Sequence, residues 1–524
     1  MLPFENDSGV PGLDWMGESF PFTLNQRLAS AGFLPISRDD RRFALDHLGL
    51  PLDFKPSRAT TLRIAQTLDA DWVIVGSYTS NNGRVAVRAQ VFNVRALSMS
   101  GPIEDSSPLE RLLDLENAIA WKLARAMLPR YPVAEQTFVA ASAGVKLDAF
   151  ENYIRGEVET TPSERLRHLK LAAQISPDFA PALLALGKTY YVDQKYELAA
   201  ATLLTVPPSD PLALEADFYL GLSYFNSANY AKAEAAFAHV ASQLPLPEVV
   251  NDEGVAASRQ GRDAGALFIR AISADPRNSD YHYNLAVALR NRKDPQGATR
   301  EVEESLRLKP NDTEAIDLQQ RLRKEIAAPA PSPPAAPVSA AASPDAAPAI
   351  PGSKPQTGNA RDSEDPSQPV ERIVRTYSEA SFRQAAFEVD QMRSASMNAL
   401  PPATQAAQLS QLGSDYLAQG LVLEAEREFQ SALAEDKASA TAHAGLAQVR
   451  ERSGDADAAR AEAQASLELR PNVTAYLVLA HLDAAANNVA AAEQDVTLAL
   501  QLEPANPAAA GMRQALASKG RQLP

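Results

Sequence analysis

The chain has 524 residues, enough for about three to four domains of ordinary size. Lysine plus arginine number 50 and aspartate plus glutamate 65, a formal net charge of -15 that argues against nucleic-acid and anionic-membrane partners, because both attract a basic face. The sequence has no cysteine and no apolar run of the ~18–20 residues that span a membrane, so we expect no disulfide, no thiolate metal site and no transmembrane segment.

The amino-terminal region, 1–130, predicts a small α/β domain with a mixed sheet. Residues 2–6 are typical of the end of a strand, and helical spacing of apolar residues over 13–31 predicts a helix in spite of Pro21. A second short strand is predicted at 33–37. The elements that follow are two helices at 39–48 and 58–69, a strand at 71–78, a turn at Asn81-Asn82-Gly83, a returning strand at 85–94 and a helix near 109–128.

Three stretches of this region resemble the bacterial TolB-like amino-terminal domain over about residues 1–128. They are Leu2-Pro3-Phe4-Glu5-Asn6 and the segments 12–18 and 70–78. In that family the Pro-Phe-Glu-Asn motif ends a longer first strand, so we expect the first strand here to be truncated and an upstream segment, such as a secretion signal, to precede it. Family members are typically envelope proteins. The resemblance implies a periplasmic or envelope-associated protein if such a signal exists, and a cytoplasmic one otherwise.

A repeated pattern begins further along the chain. The spacing between Gly187 and Gly221 is the same as the spacing between Pro276 and Pro310. Other pairs that recur at this spacing are Leu186 with Leu220, Tyr190 with Tyr224, and Ala199 with Ala233. The pattern resembles the tetratricopeptide family over 146–326 and predicts a mainly α fold, an α-solenoid of helix pairs. We expect the glycines and alanines to lie where the backbone of a partner helix comes close.

A segment rich in proline and alanine follows at 327–369, and its composition predicts a disordered linker. A second tetratricopeptide array is predicted over 370–524. Its marks include Leu412-Gly413, Tyr416, Phe429, Leu446-Ala447 and Pro471. We expect a leading amphipathic helix, from the spacing of Phe382, Ala386, Val389 and Met392, and a capping helix near 507–518.

No motif in the sequence predicts catalysis, a cofactor or a metal site. The six histidines do not form the HExxH zinc pattern, and phosphate-binding loops, dinucleotide fingerprints and nucleophile elbows are absent. Glu5, Asp7 and Asp14 lie near a predicted strand end, where ligands often bind in α/β sheets. A small-ligand or cation site there therefore stays open as an alternative to an ordinary solvated surface.

The tetratricopeptide resemblance implies a concave groove lined by the first helix of each repeat. The residues expected to line it are Leu184, Lys188, Tyr191, Phe218, Leu222, Phe225, Asn226, Tyr283, Arg290 and Asn291. Aromatic side chains flanked by polar groups suit a protein interface, although the same rings would also suit contacts between neighbouring helices. The sequence therefore predicts a non-enzymatic scaffold that binds proteins or peptides in this groove. The alternative is a sensor in which the α/β domain binds a small molecule and the arrays relay its presence.

Overall fold

The computed structural model describes residues 1–50, 57–142, 144–244, 246–327, 369–373, 388–389, 392–393, 395–397 and 400–520. It divides into two compact units. The first comprises Met1–Thr189, Thr205–Ala213 and Ser378–Pro524, and the second comprises Tyr190–Leu204 and Leu214–Tyr377. The predicted linker lies outside the described residues from 328 to 368.

The amino-terminal part of the first unit is a five-stranded mixed sheet with helices. Its strands are β1 (Glu5–Asn6), β2 (Trp72–Asn81), β3 (Arg84–Asn93), β4 (Ser98–Met99) and β5 (Ile103–Pro108). Strand β1 runs parallel to β2, whereas β3 pairs antiparallel with β2, β4 and β5. The accompanying helices are α1 (Met16–Ser30), α2 (Arg38–His47), α3 (Arg58–Thr67) and α4 (Leu112–Met127).

The β2–β3 hairpin forms where the sequence predicts it. Asn82 and Gly83 have φ values of 50° and 73°, a left-handed pair that matches the twist of the two strands. Gly76 in β2 faces the ring of Phe4, and a Cβ at this position would overlap that ring. Phe4 in turn stacks on Phe20 of α1 with ring centroids 4.7 Å apart. Gly76 therefore leaves room for the ring of Phe4 in the core between the sheet and α1.

Two features of this domain differ from the sequence prediction. The predicted strand at 33–37 is wrong: the segment is an irregular connection whose last residue, Ser37, caps α2 by accepting a hydrogen bond from the backbone N–H of Asp40. Strands β4 and β5 were not predicted, because the polar composition of Glu104 to Ser107 gives only a weak strand signal.

The rest of the described chain is helical, and no helix within it is both long and apolar enough to cross a membrane. The helices up to the predicted linker are α5 (Glu135–Ala140), α6 (Leu147–Val158), α7 (Pro162–Ile175), α8 (Ala180–Val192), α9 (Tyr196–Leu203), α10 (Ala213–Asn226), α11 (Tyr230–Gln243), α12 (Pro247–Arg259), α13 (Gly265–Ala274), α14 (Ser279–Asn291), α15 (Pro295–Leu308) and α16 (Thr313–Ala327). Those after residue 400 are α17 (Pro402–Ala418), α18 (Val422–Glu435), α19 (Ala440–Arg452), α20 (Ala456–Leu469), α21 (Val473–Ala485), α22 (Val489–Leu502) and α23 (Pro507–Gly520).

Glycines in the first helix of a pair make room for a large side chain of the second helix. A Cβ on Gly221 would lie 2.6 Å from the ring of Phe237, and one on Gly254 would lie 2.8 Å from the ring of Phe268. The sequence prediction of a close partner backbone is corrected here, because an aromatic ring makes the close approach. Each ring is fully buried and fixes the spacing of its helix pair.

The capping helix and the leading helix of the second array are described to different extents. Leu516 of α23, in the region of the predicted capping helix, is buried in a cluster with Val496 of α22. Phe382 and Ala386 lie outside the described residues. Val389 and Met392 are helical, but Met392 is exposed.

Within the first unit, α5 packs against the second array beside a buried ion pair that α18 and α19 form. Arg450 Nη2 lies 2.6 Å from Glu426 Oε1, and the other carboxylate oxygen of Glu426 accepts a hydrogen bond of 2.5 Å from the hydroxyl of Thr137. The backbone N–H of Ala134 donates to the same carboxylate at 2.9 Å. All three hydrogen bonds satisfy a glutamate that has no solvent-exposed surface.

Replacement of Gly221 by alanine tests the contact between glycine and ring. Gly221→Ala should lower the free energy of unfolding by about 1–3 kcal/mol, because the new methyl group overpacks the contact with Phe237. Gly511→Ala is the matched control, because this helical glycine is exposed and has no atom within 4 Å of its Cβ position. It should raise the stability by about 0.5–1 kcal/mol through helix propensity, as measured by urea unfolding. Stabilisation by both substitutions would contradict the contact.

Loss of one partner of the buried ion pair should be costly. Arg450→Met should lower the free energy of unfolding by about 3–5 kcal/mol, because the carboxylate of Glu426 stays buried without a cation. The double variant Glu426→Gln/Arg450→Met should recover much of that loss in calorimetric unfolding. Arg111→Met, which removes an exposed pair with Asp114, should change the stability little. An equal response to Arg450→Met and Arg111→Met would rule out the buried pair as a structural anchor.

Candidate functional site

The candidate site lies on the second unit, where three helices hold an extended segment of the chain. The helices α12, α14 and α16 are the first members of successive pairs, and the segment comprises residues 369–373. We refer to the surface formed by Asn251, Ser258, Asp280, Tyr283, Asn284, Asp312 and Glu314 as the groove.

Two asparagines hold the main chain of the segment. The side chain of Asn284 accepts a hydrogen bond of 2.6 Å from the Arg372 N–H and donates one of 2.8 Å to the Arg372 carbonyl oxygen. Asn251 donates to the same carbonyl oxygen at 3.2 Å. The two asparagines are separated by nearly one repeat length, so successive helices present them side by side. Every main-chain hydrogen-bonding group of Arg372 is thus satisfied by the groove.

The two asparagines are also linked by hydrogen bonds that do not involve the segment. Asn284 Nδ2 donates to Asn251 Oδ1 at 2.8 Å, and Asn251 Nδ2 donates to Asp252 Oδ1 at 3.2 Å. Both asparagines are fully buried. Because a buried amide without partners costs about 1–3 kcal/mol, this linked set favours one orientation of each side chain. The orientation presents a donor and an acceptor to a peptide backbone.

The side chain of Arg372 enters an acidic part of the groove. Its guanidinium donates two hydrogen bonds to Asp312, of 2.7 and 2.8 Å, and one of 2.6 Å to Asp280. Arg372 Nε donates to Glu314 at 2.9 Å. The guanidinium carbon lies 3.8 Å from the centroid of the Tyr283 ring, so a π face covers the cation.

The ion pairs shift the pKa values of the groups that form them. Desolvation alone would lower the pKa of Arg372, but the hydrogen bonds to Asp312 and Asp280 outweigh it and raise the pKa above its ordinary value. Desolvation would raise the pKa of Asp312, yet the hydrogen bonds from Arg372 and from the backbone of Ala315 lower it to about 2. Both groups therefore stay charged across the physiological pH range.

The residues on either side of Arg372 also contact the groove. Glu371 is buried, and its Oε1 accepts a hydrogen bond from the hydroxyl of Ser258. Ile373 packs against the buried apolar cluster that contains Val255, Phe268 and Leu285. The groove thus has distinct places for an acidic, a cationic and an aliphatic side chain, held in extended order.

The ten residues expected to line a groove have different environments. Tyr283 lies beneath Arg372, and Phe225 packs against the same buried cluster as Ile373. Phe218 and Leu222 are fully buried. Their burial agrees with the alternative that these side chains make contacts between neighbouring helices. The other positions are as follows: Tyr191 makes a tilted ring contact with Tyr196 and an edge contact with Tyr219, the side chain of Asn226 donates to the carbonyl oxygen of Leu222, Arg290 pairs with Glu325, Asn291 is exposed, and Leu184 and Lys188 belong to the first unit.

Sequence reasoning missed the residues that make the polar contacts. Asn251 and Asn284 recur at nearly one repeat length on the first helices of successive pairs, and this recurrence was the available signal. Arg372 was assigned to the second array, whereas its described contacts are with α14 and α16. Its partners could not be read from spacing, because Arg372 and Asn284 are far apart in the chain.

The strand end that carries Glu5 and Asp7 borders a cavity of about 260 Å³. Arg58, Arg88 and Gln90 also line it. Asp14 instead accepts a hydrogen bond of 2.9 Å from Asn6. Within the described ranges, no group of three or more histidine or acidic side chains is arranged to hold a metal ion.

Comparison with known proteins identifies the repeats. Models of the tetratricopeptide repeat match residues 184–245, 267–300 and 410–474. A search of curated proteins finds no match.

Three of the solved structures that match this chain cover different shares of it. MamA from Desulfovibrio magneticus RS-1 is 18% identical, with 32% of this chain and 99% of that chain covered and a TM-score of 0.30. YrrB, described as a TPR protein with an unusual peptide-binding site, is 15% identical over 40% of this chain and 99% of that chain, with a TM-score of 0.30. The LpoB C-terminal domain from Salmonella enterica is 17% identical over 20% of this chain and 77% of that chain, with a TM-score of 0.18. At these scores the likenesses carry no argument about partners.

The family matches lie in both arrays, before and after the predicted linker. Repeats of this family are generally non-enzymatic, and their fold indicates protein or peptide partners. Both helical arrays of this chain therefore contain tetratricopeptide repeats.

Proposed function

We propose that the chain is a non-enzymatic interaction scaffold whose groove binds an extended peptide segment of a partner protein. One observation carries the proposal: the groove holds residues 370–373 of the chain itself through the main chain of Arg372. Main-chain groups are common to all peptides. A site that satisfies them in an extended segment is therefore suited to a segment from another protein.

Partner binding in this scheme is an exchange of one segment for another. The chain's own segment is covalently attached, and tethering of this kind gives effective concentrations on the order of millimolar. A partner must therefore make more contacts than residues 370–373 make, or be locally concentrated. The attached segment keeps the groove filled and its asparagines satisfied until such a partner arrives.

The cellular placement in this proposal is the bacterial envelope. This placement is supported by the resemblance of residues 1–128 to TolB-like domains. In the proposal, the amino-terminal domain anchors the scaffold near other envelope proteins. The second array supplies a further partner surface. In the first unit its helices α18 and α19 contact α5 through Glu426 and Arg450, which fixes that side of the array.

A second candidate function is ligand sensing by the amino-terminal domain. The cavity beside β1 and β2 favours it, because charged side chains of both signs, including Asp7 and Arg58, line about 260 Å³. We place ligand sensing second to peptide binding. The groove shows the contacts of a bound segment, whereas the residues that line the cavity do not identify a ligand.

The proposed function predicts binding of the segment from outside the chain. A fluorescent peptide with the sequence of residues 366–376 should bind full-length protein carrying Arg372→Ala, because that substitution weakens the attached segment. Wild-type protein should bind it at least ~10-fold more weakly through competition by the attached segment, as measured by fluorescence anisotropy. Absence of peptide binding to the Arg372→Ala protein would reject the groove as a peptide site.

A pair of asparagine substitutions makes this experiment specific. In the Arg372→Ala background, Asn284→Ala should weaken peptide binding by at least ~10-fold, because two main-chain hydrogen bonds are lost. Asn291→Ala is the matched control on the same helix and should have little effect, since Asn291 is exposed. Circular dichroism would show that both variants keep their helices. Equal loss of binding in the two variants would contradict the role assigned to Asn284.

A further inference from the structure

We infer that the groove selects partner segments with the order acidic residue, arginine, aliphatic residue, and that the arginine dominates the selection. The inference rests on the proposed function and adds the chemical class of the partner. The partner is a separate protein that presents this order in an extended stretch. The chain's own Glu371, Arg372 and Ile373 show which contacts such a stretch makes.

The geometry around the cation is specific for a guanidinium. Asp312 receives two hydrogen bonds from the fork of Arg372, and Asp280 and Glu314 receive others from the same group. The Tyr283 ring covers the flat face of the group. A lysine ammonium has no planar fork and cannot form a bidentate pair while it stacks on a ring.

The charges around the groove make an uncharged residue unfavourable at this position. Three carboxylates, from Asp280, Asp312 and Glu314, surround the guanidinium, and the Nζ atom of Lys309 lies 3.4 Å from Asp312. Without an arginine the three carboxylates repel one another, and the ammonium of Lys309 offsets this repulsion only in part. The groove is therefore complementary to a cation on the partner, in a chain whose own net charge is -15.

The two neighbouring positions add selectivity of other kinds. The buried carboxylate of Glu371 accepts a hydrogen bond from Ser258, so an apolar residue in its place would leave that hydroxyl without this acceptor. Ile373 contributes apolar contact with the buried cluster that contains Val255, Phe268 and Leu285. Together the three positions select, in order, an acidic side chain, a planar guanidinium and an apolar side chain.

A separate protein is a better occupant than a second copy of this chain. The segment of a second copy has the same sequence as the attached one and gains no contact that the attached one does not already make. Tethering gives the attached copy the higher local concentration. Exchange between copies is therefore disfavoured, whereas a different protein can add contacts beyond the three residues.

The test uses full-length Arg372→Ala protein and a set of fluorescent peptides covering residues 366–376. Replacement of the peptide's arginine at position 372 by lysine should weaken binding by ~10-fold or more, because the bidentate pair and the stacking are lost. The same replacement at position 375 is the matched control and should change affinity by less than ~2-fold. Replacements of the peptide's Glu371 by leucine and Ile373 by serine should each weaken binding by roughly 3- to 10-fold.

The reciprocal change is made in the groove. Asp312→Asn in the Arg372→Ala protein should greatly reduce the preference for arginine over lysine at position 372 of the peptide. Asp317→Asn, at an exposed aspartate of α16, should leave the preference unchanged.

The possible outcomes separate this inference from the proposed function. If no peptide binds, the proposed function and the inference both fail. If every peptide binds equally, or if lysine at 372 and lysine at 375 weaken binding alike, the groove binds peptides without the inferred selection and only the inference is overturned. If wild-type protein is dimeric by light scattering and Arg372→Ala protein is monomeric, the occupant is a second copy, and the assignment to a separate partner is overturned.

Discussion

The hydrogen bonds between the side chain of Asn284 and the main chain of Arg372 are the constraint on which the groove depends. A carboxamide in the middle of an apolar helix contact needs partners for both its oxygen and its nitrogen. Asn251 supplies one partner, and the peptide backbone supplies the others. The stack of repeats thus contains a polar position that is fully satisfied when an extended segment is present, and this requirement makes the position a binding site.

The helix contacts beneath the groove determine where those asparagines lie. Gly254 allows the ring of Phe268 to approach α12, and this fixes the distance between α12 and α13. Successive pairs then bring α12 and α14 together with Asn251 and Asn284 at the same level. A methyl group on such a glycine would push the pair apart and move the donor and acceptor groups relative to each other. Packing between the helices therefore controls the recognition geometry.

Sequence reasoning succeeded where the signal is local or periodic. The pair Asn82-Gly83 predicts the hairpin because few other residues adopt its φ values, and the regular spacing that relates Gly187 to Gly221 predicts helix pairs. It failed at 33–37, where apolar residues belong to a connection and not to a strand. It also identified Tyr283 without its partner Arg372, because a contact between residues so distant in the chain has no local signature.

Two arginine–carboxylate sites in the chain show how burial and charge balance separate a permanent contact from an exchangeable one. In the first unit Arg450 faces the carboxylate of Glu426, which is completely buried, so opening the contact would leave a charge in an apolar environment. In the second unit Arg372 faces three carboxylates; Asp312 is buried, whereas the side chains of Asp280 and Glu314 are 39% and 68% exposed. Water can solvate Asp280 and Glu314 when the segment leaves, which lowers the cost of opening. The second arrangement therefore suits a ligand that is replaced, and the first suits a structural anchor.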